Sequence, residues 1–324
     1  NPRVQIRFEG TVAKDAPGDH KVNNQWMLTL NNSLTPSNEV FNLPPNFQPS
    51  KADNQSKEQG DPTISIDGKT LMLGDTGQYV VTLDARQKDQ AYKVWRLGIT
   101  DDYDDKYVDV DPAKIEVLGA DGKDYSKAFN IQVKDGVAYV YARTVDTKVP
   151  ATGETVKGDP QPEDLKAYAA NTAHDALKDP AIDQTLLGQT YQVTLPYKVI
   201  KVTDGYVVKN TATQLVNQVS KTTNQVSNPL KPINPVKDVV VKVNGASANG
   251  KSIYKDSTFL YRLDSSVIPA NRAYQTVKNW SISDQLDPAY DKLTGQWAVY
   301  AARDLYQDGK VIARKGERIA GSDF

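Results

Sequence analysis

Ile99-Thr100-Asp101-Asp102-Tyr103-Asp104-Asp105-Lys106-Tyr107 returns without a gap as Ile282-Ser283-Asp284-Gln285-Leu286-Asp287-Pro288-Ala289-Tyr290. The shared pattern is I-[ST]-D-x-x-D-x-x-Y. An internal repeat of this length makes the chain modular. It also sets an aspartate, Asp101 or Asp284, at one fixed place in each module.

Two further repeats fix the boundaries. Early in a module, Asp67-Gly68-Lys69-Thr70 recurs as Asn249-Gly250-Lys251-Ser252. Late in a module, V-x-N is followed by N-x-V-x-N. That pattern occurs at Val22, Asn24, Asn38, Val40 and Asn42, and again at Val208, Asn210, Asn224, Val226 and Asn228. The chain thus holds the last strands of one module (1–43), a linker (44–61), a complete module (57–228), a second linker (229–236) and the first part of another module (237–324). The chain starts and stops in mid-pattern, which reads as an excised fragment. Residues 1–43 carry the strands that 233–324 lack, so the two could complete one sandwich, within a chain or between neighbours.

Within the modules the pattern is short strands and turns. Val4, Ile6 and Phe8 alternate with Gln5 and Arg7, the period of a half-buried strand. Phe129–Val133 and Val137–Tyr141 flank Asp135-Gly136, a hairpin signal. Between Pro162 and Lys178, Leu165, Tyr168, Ala169, Thr172, Ala173 and Ala176 follow helical spacing, with Pro180 beyond. The fold class is all-β: tandem immunoglobulin-like β-sandwich modules with a short helical insertion near 162–178.

Composition narrows the function. Of 324 residues, 39 are basic and 40 acidic, for a net charge of −1. No basic field exists to draw nucleic acid or anionic lipid. Apolar runs, such as Val239-Val240-Val241, are too short to cross a bilayer. There is no cysteine, which excludes disulfides and thiolate chemistry, and the two histidines lie far apart. Carboxylates are scattered without a nucleophile motif, so the reading is not an enzyme.

A different chemistry fits the repeated positions. A lysine stands near the start of each module, Lys57 and Lys237. An asparagine stands near the end, Asn224, and Asn38 in the leading fragment. Asp101 and Asp284 lie between. In an apolar core, burial lowers a lysine's pKa and frees its amine as a nucleophile, and it keeps an aspartate protonated. The aspartate can then hydrogen-bond an asparagine carboxamide while the amine attacks it. Ammonia leaves, and an amide joins first strand to last without oxidant or turnover. The alternative is that Lys57 and Asn224 are surface residues and Asp101 belongs to a turn.

Several stretches resemble the C-terminal domains of the antigen I/II family of Gram-positive cell-wall-anchored adhesins, including enterococcal aggregation substance. They are Ile66-Asp67-Gly68-Lys69-Thr70, Thr100-Asp101-Asp102-Tyr103, Ile233-Asn234-Pro235-Val236-Lys237-Asp238-Val239, Phe259-Leu260-Tyr261-Arg262-Leu263, Ile268-Pro269-Ala270 and Leu293-Thr294-Gly295-Gln296. The resemblance implies immunoglobulin-like domains stacked in a stalk, each braced by a Lys–Asn isopeptide bond that an Asp assists. Carried over by motif, it implies Lys57, Asn224 and Asp101 in the whole module, with Lys51 as the alternative lysine because the register at Lys57 needs a one-residue gap. The later module would supply Lys237 and Asp284; Asn38 would be the acceptor of the preceding one. Asp284-Gln285-Leu286 departs from the family's common Asp-Asp-Tyr.

The resemblance also implies a stalk segment on the outside of the cell, presenting a distal adhesive domain to host or bacterial surface partners. No nucleic acid partner and no membrane insertion is expected. The other reading is that the modules themselves bind a ligand, through the 162–178 insert or the acidic loop. No cofactor is expected unless calcium binds the run Asp101, Asp102, Asp104, Asp105, Asp109 and Asp111, which is oxygen-rich as calcium requires and lies where the family binds metal. A solvated loop is the alternative. The tripeptide Lys157-Gly158-Asp159 is short enough to arise by chance.

Overall fold

The computed structural model describes residues 4–13, 16–149, 152–159, 164–175, 177–277 and 279–322. The chain divides into two compact units. The first is Asn1–Lys231 with Asn271–Tyr274, and the second is Pro232–Ala270 with Gln275–Phe324.

The first unit opens with β1 (Val22–Asn24), β2 (Met27–Leu30), β3 (Ser33–Pro36) and β4 (Val40–Asn42). These pair only among themselves, β1 with β4 and β2 with β3. Residues 4–13 form no strand and their side chains are exposed, against the expectation from their alternation. An alternating pattern becomes a strand only when another strand takes up its hydrogen bonds, and among the described residues none does so.

The complete module follows: β5 (Ser50–Gln55), β6 (Thr76–Ala85), β7 (Leu97–Asp102), β8 (Val108–Val110), β9 (Glu116–Gly119), β10 (Phe129–Lys134) and β11 (Val137–Ala142). An insert carries β12 (Thr144–Val145), β13 (Thr147–Lys148), β14 (Thr155–Val156), α1 (Leu165–Ala170) and β15 (Ala181–Ile182). The module closes with β16 (Gln189–Val199), β17 (Val207–Asn210), β18 (Ala212–Val216), β19 (Val219–Thr222) and β20 (Val226–Pro229). One sheet runs β10-β11-β7-β18-β19; the other runs β5-β6-β16-β8, with β9 also paired to β16. Every pairing between these strands is antiparallel.

Strand period places alternate residues on the inner faces. Val81, Leu83, Ile99, Val140, Val193 and Leu195 are fully buried between the sheets. Gly98 lets Tyr141 lie across β7: a Cβ there would come within 2.5 Å of the Tyr141 ring and 2.2 Å of the Val140 carbonyl oxygen. The β10–β11 hairpin turns through Asp135 and Gly136, with φ of 53° and 75°, the left-handed pair that a two-residue hairpin turn needs.

Two boundaries differ from the sequence reading. The stretch 44–61 is not a linker throughout, because β5 lies inside it and pairs with β6 from Ser50 to Gln55. Its inward positions are Lys51 and Asp53, so no hydrophobic alternation marks it. The second linker, 229–236, is also partly structured: Leu230 is buried and bridges Leu71, and a strand starts at Val236.

The helix is shorter than its spacing suggests, Leu165–Ala170; Pro162 and Ala176 lie outside the described residues. Leu165 and Tyr168 pack on Tyr139 and Tyr141 of β11. The Arg96 guanidinium donates to the carbonyls of Tyr168, Ala169 and Asn171, at the helix end where intrahelical donors run out. The helix covers the outer face of a sheet.

The second unit contains β21 (Val236–Val240) paired with β22 (Leu260–Asp264), β23 (Ala298–Tyr300) with β26 (Arg318–Gly321), and β24 (Leu305–Gln307) with β25 (Lys310–Ala313). Residues 280–285, which repeat β7, form no strand.

Gly98→Ala should destabilise the complete module by about 1–3 kcal/mol, the usual cost of overfilling a packed core. Urea unfolding of the variant beside the parent chain checks this.

Candidate crosslink site

Strand β5 leans its inner face toward that of β7. The Lys51 ammonium nitrogen meets the Asp101 carboxylate in a direct ion pair, with both side chains 0% exposed. Inside the sandwich such a pair loses hydration on both partners, a cost of several kcal/mol per ion that only close geometry offsets. Burial is accordingly the main influence on each group. It pushes the Lys51 amine down and the Asp101 acid up, against their mutual attraction. Both shifts favour a neutral amine beside a neutral acid.

The third member is Asn210 on β17, 2% exposed. Its amide sits against Asp101 and the Tyr79 phenol, near enough to act on the ionisation of both. Neither end of that amide makes an ordinary hydrogen bond, and the second Asp101 carboxylate oxygen has no partner either. Buried polar atoms in native structures are nearly always paired. Asp101 and Asn210 contribute three such atoms at this place. The Tyr79 ring forms one wall, its centroid 4.6 Å from the lysine nitrogen.

Of the residues chosen from sequence for the complete module, Lys57 and Asn224 lie elsewhere. Lys57 is on the surface, its side chain 61% exposed, in an ion pair with Glu116 at 2.7 Å. Asn224 is exposed and bonds the backbone of Lys51: its oxygen accepts from the Lys51 N–H at 2.9 Å and its nitrogen donates to the Lys51 carbonyl at 2.8 Å. Asn224 therefore holds the β5 backbone in place at Lys51. The alternative lysine, Lys51, is the one brought to Asp101.

The leading fragment requires a matching correction. Its strands repeat the end of the complete module pair for pair. Val22 faces Asn42 as Val208 faces Asn228, Asn24 faces Val40 as Asn210 faces Val226, and Met27 faces Pro36 as Thr213 faces Thr222. The counterpart of Asn210 is thus Asn24, while Asn38 is the counterpart of the strand-holding Asn224. In the second unit, Lys237 and Asp284 do meet, at 2.8 Å, with side chains 44% and 25% exposed. Tyr261 lies under Lys237 at 4.2 Å, as Tyr79 lies under Lys51. The donor half of the site is repeated there.

The signal for Asn210 was present in the V-x-N motif. Repetition alone could not choose among three recurring asparagines. Within the acidic run, Asp104 accepts from Tyr206 and Asp111 caps the turn at Ala113. Among the described residues no three carboxylates or imidazoles gather as a metal site would require.

Comparison with known proteins gives the following. Residues 49–230 match the family described as the cell surface antigen I/II C2 terminal domain, and residues 234–324 match the cell surface antigen C-terminus. Aggregation substance of Enterococcus faecalis is 32% identical over 307 residues, covering 92% of this chain and 21% of that protein. The chain therefore spans about a fifth of that relative's length. The C-terminal domain of the Streptococcus pyogenes antigen I/II-family protein AspA superposes with a TM-score of 0.56 at 21% identity, over 84% of this chain and 78% of that one. The C-terminal domain of the Streptococcus agalactiae AgI/II polypeptide BspA gives 0.50 at 20%, over 84% and 77%. At such identities the two structures attest the all-β fold alone.

Lys57→Ala should change stability by no more than about 1 kcal/mol, the range of an exposed ion pair. Lys51→Ala should cost about 3–5 kcal/mol, because it leaves the buried Asp101 without its partner. Denaturant unfolding of the two variants separates the surface lysine from the interior one.

Proposed function

The chain belongs to the cell surface antigen I/II family, and from that premise we propose that it is a stalk segment of a surface adhesin, held together by an amide between Lys51 and Asn210. The observation that carries this reading is the buried Lys51–Asp101 pair facing an asparagine amide with no hydrogen-bond partner.

The chemistry balances without a co-reactant. The neutral Lys51 amine attacks Cγ of Asn210 while protonated Asp101 hydrogen-bonds the amide oxygen. The Nζ–Cγ bond forms. A proton passes from Nζ through the Asp101 carboxyl to Nδ2, the Cγ–Nδ2 bond breaks, and ammonia leaves. Placing the groups in contact supplies much of the rate, since fixed neighbours avoid the entropy of meeting. The reaction occurs once per chain.

The bond ties the first strand of the module to a strand near its end. A crosslink over a loop this long stabilises by restricting the unfolded chain, about 5 kcal/mol by the relation used for disulfides. A pull applied at Lys51 and Asn210 then meets a covalent bond before it reaches the sheets. That suits a stalk outside the cell, where a protein without cysteine cannot use disulfides. Projection of a distal adhesive domain toward host or bacterial partners completes the proposal. The repeated Lys237–Asp284 pair and the Asn24 strand extend the same bracing to the adjoining modules.

Intact-mass measurement tests it. The parent chain should weigh one ammonia less than its sequence, with a tryptic peptide linking Lys51 to Asn210. Asp101→Ala and Asn210→Ala should restore the full mass and lower the melting temperature. A parent chain at full mass would refute the crosslink.

A further inference from the structure

A second buried acid stands beside this site and takes no part in the mechanism above. Asp53 follows Lys51 by two residues on β5 and points the same way, 0% exposed. The Tyr197 hydroxyl donates to both of its carboxyl oxygens at 3.0 Å. Tyr197 in turn stacks on Tyr79, centroids 4.5 Å apart and planes at 27°. Gly77 makes room for this: a Cβ there would come within 2.4 Å of the Tyr197 ring and hydroxyl. A chain of contacts thus runs from Asp53 through Tyr197 and Tyr79 to the Lys51 nitrogen.

Resting on the crosslink reading, we propose that Asp53 is a positioning residue for the reaction: it fixes Tyr197, Tyr197 fixes the Tyr79 ring, and the ring holds the Lys51 amine opposite Asn210 while the charge state of Asp53 sets how readily that amine is neutral. An independent observation supports the aromatic part. In the second unit Tyr261 occupies the same place under Lys237, and its hydroxyl is fixed directly by a carboxylate, Asp291, at 2.8 Å, where Tyr79 is held by stacking on Tyr197. The second unit has Val239 where the complete module has Asp53, so control by a second acid belongs to the complete module.

The groups facing Asp53 define its behaviour. They are Lys51 on its own strand, Tyr79 on β6, Tyr197 on β16, Asn228 on β20, Asp67 in the turn before Leu71, and Tyr274. Burial dominates and pushes the Asp53 acid up to about 8, against the Tyr197 hydrogen bond. Below that value Asp53 is neutral and adds no charge. As pH rises through about 8 it ionises, and an anion beside Lys51 favours the ammonium form. The ammonium cannot attack. Crosslinking in this module should slow with rising pH, the reverse of an ordinary amine reaction.

The test is pulse synthesis of the full chain in a cell-free system, followed by intact mass against time at pH values on either side of 8. The parent rate should fall on the order of tenfold above that value, the effect of one nearby opposite charge on an amine. Asp53→Asn keeps an acceptor for Tyr197 without the charge, and it should crosslink with no such fall. Asp53→Leu removes the acceptor and should be slow at every pH; if it does not fold, Asp53→Asn still decides. A parent rate that rises through pH 8, or the same profile in parent and Asp53→Asn, overturns the role of Asp53 and leaves the crosslink standing. A parent chain that never loses ammonia overturns both.

Discussion

The Lys51–Asp101 contact constrains the whole module. Two ionisable groups lie in contact inside the sandwich, where desolvation favours the neutral form of each, and such a pair persists only if the surrounding strands hold both partners in place. Many features serve that purpose. The alternation of β7 turns Leu97, Ile99 and Asp101 inward together. Asn224 bonds both backbone groups of Lys51, and Asn228 bonds the carbonyls of Ile66 and Lys69. Those asparagines act as backbone mimics that seat β5 and the turn after it. Gln214, fully buried, similarly exchanges hydrogen bonds with both backbone groups of Asp84 and joins β18 to β6.

The same organisation explains the repeats. The first strand, the β7 strand and the closing strands of the complete module bring Lys51, Asp101 and Asn210 to one place, and these are the places that recur. Where all three are present, the lysine and aspartate are fully enclosed. In the second unit the lysine, aspartate and tyrosine meet, but their neighbourhood stays partly open. Strands β1 to β4 show the converse, a closing pair with the correct register and exposed faces. Enclosure, more than residue identity, distinguishes the two lysine–aspartate pairs, because desolvation shifts both ionisations of the buried one toward the neutral forms.

The sequence by itself determined the all-β class, the modular repeat, the β10–β11 hairpin and Asp101. Each depends on local period, turn chemistry or repetition, which the order of residues carries directly. It also identified asparagines at the end of each module, without separating the one that faces the aspartate from the one that seats a strand. Tertiary structure decided which lysine lies buried against Asp101. Lys51 lies on a strand whose inner face is polar, Lys51 and Asp53, and hydrophobic alternation cannot reveal such a strand. Lys57, six residues on, looks the same in composition and turns out into water beside Glu116. Which of two lysines loses its hydration depends on which side of β5 meets the opposite sheet, and only the packed sandwich fixes that.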